Sequence, residues 1–169
     1  MTLLVLVGPK GRGKTHVGAV LEARLGVRFV RVEPIFLALR NQVEALTEVE
    51  RQVDRALAEA QVVAIESTGI VTEHLRSLRQ RYEPVRWIRV DASAESCLRR
   101  FKARDASGRI PISEERFREI NARAARTSHD WDCVLNNDCG LTDEEIAEAV
   151  APFCRSVILP ARLWTLCGP

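Results

Sequence analysis

Residues 8–15 read GPKGRGKT, which satisfies G-x-x-x-x-G-K-S/T at each fixed position. Glycines at 8, 11 and 13 permit a backbone path whose N–H groups converge on an anion. A helix starting at this point aims the positive end of its dipole at the same spot. Lys14 supplies a point charge for β- and γ-phosphates, and the Thr15 hydroxyl supplies a ligand for Mg²⁺. The chemistry is the seating of a nucleotide's triphosphate tail, with Gly8, Gly11, Arg12, Gly13, Lys14, Thr15 and His16 as candidate nucleotide-binding residues. No G-x-G-x-x-G lies here and no N-K-x-D occurs in the chain, which argues against a dinucleotide site and against a switch GTPase.

Further groups fit the same chemistry. Glu66 follows the apolar run VVAI, where a carboxylate beside the loop strand can hold Mg²⁺ directly or through water. Ser67, Thr68 and Gly69 form a polar turn at the same strand tip, and Arg40 lies one turn into the helix after the second strand. All four are candidate substrate contacts. Arg99, Arg100, Lys102, Arg104 and Arg109 against Asp105 give a net +4 over residues 99–109. Guanidinium groups stay charged and fork onto phosphate oxygens, so a basic segment of this kind can close over a polyphosphate. Arg99 and Arg100 are read instead as cations suited to a helix end.

The elements that must position these groups alternate. TLLVLV at 2–7 fits a strand buried on both faces. A helix over Thr15–Leu25 stops at Gly26, and a second strand spans 27–32 and ends at Glu33-Pro34. Apolar residues from Ile35 to Leu57 recur every three or four positions, which predicts helix. The capping box Thr47–Glu50 divides that stretch into two helices meeting near Leu46. Strands at 62–66, 85–90 and 132–137 follow, with helices over 71–82, from Ser93 to Lys102, over 114–126 and after the capping box Thr142–Glu145. Residues 103–111, with Asp, Ser, Gly and Pro in close order, read as a mobile loop, and the tail 156–169 has no assignable pattern. Asp91 reads as a strand end or cap. Asn136, Asn137 and Asp138 read either as an adenine-edge contact or as a turn. The alternation predicts an α/β fold, a parallel sheet with helices on both faces, whose ligands bind at the carboxyl ends of the strands.

The chain has 169 residues, 46% apolar and 28% charged, with a formal charge of +2. That suits a single globular domain and argues against disorder or a nucleic-acid-coating protein. Of its basic residues 22 are Arg and three are Lys (Lys10, Lys14, Lys102). Leu3–Val7 is too short to span a bilayer and lacks signal-peptide flanks. Five cysteines without a CxxC pair read as free thiols in a reducing cytoplasm.

The spacing G-x-x-G-x-G-K-T, FKARD at 101–105 with RIP at 109–111, and DCVLNND at 132–138 resemble the shikimate kinase, gluconate kinase and nucleoside monophosphate kinase group over roughly residues 2–150. The resemblance implies a three-layer P-loop NTPase fold with a five-stranded parallel sheet of order 2-3-1-4-5 and a lid. It implies ATP and Mg²⁺ as cofactors and a small-molecule acceptor as partner. Lys14, Glu33, Glu66 and Arg109 would be catalytic, with Glu33 meeting the acceptor hydroxyl and Arg109 reaching the phosphates. Arg104 would pack on adenine, Arg123 would grip an acidic acceptor, and Thr15 with Glu66 would hold the metal. The chain departs from shikimate kinase where that family has a glycine triplet, here Glu66-Ser67-Thr68-Gly69, and where it has Asp-x-Asp, here Arg31-Val32-Glu33. The expected function is transfer of the γ-phosphoryl of ATP to a metabolite hydroxyl or phosphate. The alternative is an ATP-binding or ATPase regulatory module with no acceptor of its own.

Overall fold

A computed structural model describes residues 1–103 and 110–154. Arg104, Arg109 and the tail from residue 155 lie outside the described residues.

Strand β1 (Thr2–Val7) is buried at every position. Its side chains alternate between two cores, as a two-faced strand demands. Leu3, Val5 and Val7 join one core, and Leu4 and Leu6 the other. The chain continues through α1 (Lys14–Leu25), β2 (Arg28–Val30), α2 (Val32–Leu39), α3 (Gln42–Glu59) and β3 (Val62–Ser67). Then come α4 (Thr72–Arg81), β4 (Val85–Asp91), α5 (Ala94–Lys102), α6 (Glu114–Ala125), β5 (Cys133–Asn136) and α7 (Asp143–Cys154). The five strands form one sheet in the order β2-β3-β1-β4-β5, and each neighbouring pair is parallel. Helices α3 and α4 cover one face through Val49, Val53, Leu75 and Leu78, and α1 and α7 cover the other through Val17, Leu21, Ile146 and Val150.

Two local expectations need correction. The second strand ends at Val30, and Glu33 lies in the first turn of α2. A carboxylate is favoured there by the helix dipole, and Pro34 is tolerated because first-turn N–H groups have no intrahelical partner. The break in the following helical stretch falls at Arg40–Asn41, not near Leu46. Asn41 is extended (φ −106°, ψ 124°), and its side chain accepts from the amides of Val43 and Glu44. With the cap made there, Thr47 sits inside α3, where its hydroxyl donates to the Val43 carbonyl at 3.0 Å. The other caps follow the sequence: Ser93, Ser113 and the reciprocal pair Thr142 and Glu145.

Candidate active site

The parallel pairing sets Leu6 opposite Glu66 and Val7 opposite Ser67. The tip of β3 therefore stands beside the entry to the phosphate loop. The loop ends at Gly13, which begins α1 in the left-handed region (φ 94°). A Cβ at this position would also collide with Asn137 Nδ2, so both conformation and space require glycine. Gly8 meets a similar limit, since a Cβ there would run into the Val90 carbonyl. The first turn of α1 holds no acidic residue and no side-chain cap, which leaves its positive end for an anion.

Around this cup the side chains are held by specific bonds. Lys14 Nζ donates to the carbonyls of Gly8 at 2.7 Å and Pro9 at 2.9 Å, so the ammonium lies over the loop itself. The Thr15 hydroxyl donates to Glu66 Oε2 at 2.8 Å. That pair brings two oxygens of metal-ligand type together at the mouth of the cup. Glu33 Oε1 accepts from the Ile110 amide at 3.4 Å and lies 4.0 Å from Lys10 Nζ, which connects the base of the expected lid to the phosphate loop.

The loop is also braced from residues that spacing does not reveal. Asn121 of α6 accepts from the Lys10 amide at 2.8 Å and donates to the Lys10 carbonyl at 2.9 Å. Asn137, after β5, donates to the Arg12 carbonyl at 2.8 Å and accepts from the Leu141 amide. The Asn136–Asp138 run thus works as a turn whose central amide is spent on the loop. Arg100 donates to the Asn137 carbonyl at 2.5 Å and to the Gly11 carbonyl at 3.4 Å. It is a rivet between the loop and the β5–α7 turn, not the free helix-end cation expected.

A cavity of about 290 Å³ runs from the cup toward α2, α3 and α4. Gly11, Gly13, Lys14, Thr15 and Glu66 line its end at the loop, with Glu33, Ser67 and Thr68 beside them. Much of the remainder is apolar: Phe36, Leu46 and Val49, then Ile70 and Val71, then Phe117 and Ile120. His74 also lines it and is fixed through Nδ1 to Glu50 Oε1 at 3.3 Å. Burial pushes the His74 pKa down, and the Glu50 carboxylate opposes that shift only in part.

Several expected site residues lie elsewhere. Arg123 is exposed, because α6 buries its Phe117–Ile120–Ala124 stripe and turns residue 123 to solvent. Arg40 is an exposed helix-terminal residue with φ 54°. Arg12 contributes its backbone to the loop, but its guanidinium is buried in an ion pair with Asp91. Burial lowers the Arg12 pKa. Asp91 also receives Arg89 at 3.1 Å and so serves structure. His16 is exposed and faces Asp143 of α7 at 3.6 Å. Gly69 does not line the cavity; it closes a turn in which its amide donates to Ser67 Oγ.

The strand order, the loop and the helices on both faces define a P-loop fold of the kind found in small-molecule kinases. Solved structures with this architecture include a sugar kinase from Janibacter sp. HTCC2649, 18% identical over 92% of this chain and 99% of that one, with a TM-score of 0.63. Shikimate kinase from Aquifex aeolicus is 19% identical over 89% and 94% of the two chains, with a TM-score of 0.58. Deoxyadenosine kinase from M. mycoides, solved with bound dATP, is 15% identical over 90% and 99%, with a TM-score of 0.58. No family model and no curated protein matches the sequence. No helix among the described residues is long and apolar enough to cross a membrane.

Proposed function

We propose that this chain is an ATP- and Mg²⁺-dependent phosphotransferase that moves the γ-phosphoryl of ATP to a small metabolite. The observation that carries the reading is the Thr15–Glu66 contact at 2.8 Å beside a helix end with no cap of its own. Mg²⁺ accepts a few protein oxygens and takes its other ligands from phosphate and water. Thr15 and Glu66 suit such a site, and the glycine-built cup suits a triphosphate. When bound, the metal neutralises charge on the phosphate oxygens. Lys14 adds a positive charge next to the same oxygens, and the loop amides donate to them. Glu33, at the acceptor side, orients the hydroxyl and takes its proton as the oxygen bonds to phosphorus and ADP departs. Arg104 and Arg109, carried by the segment after α5, supply further charge over the polyphosphate. Ser67 and Thr68 touch the acceptor.

The test is ADP release from Mg–ATP in the presence of pooled sugars, nucleosides, polyols and hydroxy acids. Acceptor-dependent release is the expected result. Binding of ATP without any acceptor response points instead to a regulatory module.

A further inference from the structure

The acceptor end of the cavity has a chemistry of its own. Phe36 of α2, Leu46 and Val49 of α3, and Phe117 and Ile120 of α6 give it apolar walls. The uncharged polar side chains near them are Gln42, Ser67, Thr68 and His74, and His74 is engaged with Glu50. Cations among the described lining residues, Lys10 and Lys14, both belong to the phosphate loop. Lys14 is bonded to loop carbonyls and Lys10 stands 4.0 Å from Glu33. Among the described residues, Arg40 and Arg123 are exposed and do not line the cavity. An anionic acceptor would sit against apolar walls with the Glu33 carboxylate at its reactive end. It would lose its hydration without a described counter-charge beside it, which strongly disfavours binding.

We propose that this cavity selects an uncharged, hydroxyl-bearing acceptor with an apolar body, and rejects carboxylate-bearing ones. The proposal rests on the phosphotransferase reading above. The acceptor hydroxyl oxygen bonds to the γ-phosphorus, the bond to the ADP oxygen breaks with its electron pair leaving on ADP, and the hydroxyl proton passes to Glu33. The apolar body replaces water along Phe36, Leu46 and Phe117, which supplies the binding free energy.

Three probes separate the terms. Phenyl β-D-glucoside and phenyl β-D-glucuronide share ring and phenyl group and differ in a hydroxymethyl against a carboxylate. Methyl β-D-glucoside keeps the neutral sugar and removes the apolar body. Ligand-observed NMR titrations with Mg–ADP present should give the phenyl glucoside an affinity at least about tenfold above either of the others. Leu46→Arg, at a partly exposed cavity position, should reduce the glucoside preference over the glucuronide by about tenfold. Equal or tighter binding of the glucuronide, equal binding of the methyl glucoside, or no saturable binding of either phenyl compound overturns the proposal. The unaltered protein alone decides these outcomes if the variant does not fold. A parallel Mg–ATP titration keeps the two readings apart. Loss of ATP binding counts against the phosphotransferase, whereas the probe ranking counts for or against the cavity's selectivity.

Discussion

The side-chain amide of Asn121 grips both backbone groups of Lys10, accepting from its N–H at 2.8 Å and donating to its carbonyl at 2.9 Å. A single residue of α6 thereby fixes the apex of a loop 111 positions earlier in the chain. Asn121→Ala removes both bonds and leaves partly buried loop groups without them. The expected cost is about 1–3 kcal/mol of stability, with a weaker ATP affinity because the cup loses its set shape. Denaturant melts and ATP titration of the variant check this; unchanged values for both would show the clamp to be idle.

Lys14 donates to the carbonyls of Gly8 and Pro9, and in the proposed reaction its charge would face the β- and γ-phosphates. Lys14→Ala should reduce acceptor-dependent turnover by about 10²-fold or more, while the circular dichroism spectrum stays that of the folded chain. Turnover equal to that of the unaltered protein would remove Lys14 from the mechanism.

Gly13 combines a positive φ with a neighbour too close for a Cβ. Gly13→Ala must either strain the backbone or displace Asn137, at an expected cost of about 1–3 kcal/mol. ATP binding should fall together with stability. The measurement is a melt in the presence and absence of Mg–ATP, and a nucleotide-dependent rise as large as in the unaltered protein would contradict the account.

Two histidines set an acid-side dependence. Burial is the largest cause lowering the pKa of both His74 and His129; His129 stacks on Trp87 at 4.9 Å. In the unfolded chain each titrates near its ordinary value of about 6.5. Between that value and the lower folded one, the unfolded state binds more protons. Stability is therefore full above about pH 6.5 and declines as pH falls below it. Melting temperatures from about pH 7.5 to about pH 5.5 should fall, and replacing both imidazoles with glutamine should flatten the trend. A flat profile for the unaltered protein would rule the effect out.

Much of the fold was legible because its signals are local. TLLVLV announces a strand covered on both faces, the glycine–lysine–threonine spacing announces the cup, and Ser93, Ser113 and Thr142 announce helix starts. The failures share a cause. Thr47–Glu50 has the letters of a capping box, but Asn41 had already satisfied the helix N-terminus, and a cap is decided by backbone conformation. The resemblance assigns Arg123 to an acidic acceptor, yet the buried stripe of α6 leaves it exposed. Asn121 and Arg100 were missed in their roles because each serves backbone atoms far away in sequence, and residue spacing carries no trace of such partners. The apolar character of the cavity beyond the loop was equally hidden, since it is assembled from helices α2, α3 and α6 along with the β3–α4 connection.

The bonds from Asn137 and Arg100 to the carbonyls of Arg12 and Gly11 make the amino-terminal loop a dependant of the last strand. On a ribosome, residues 8–15 emerge early but cannot adopt their anchored shape until residue 137 has followed. Nascent chains halted before that point would carry the whole glycine motif without the bond that Asn137 makes to it.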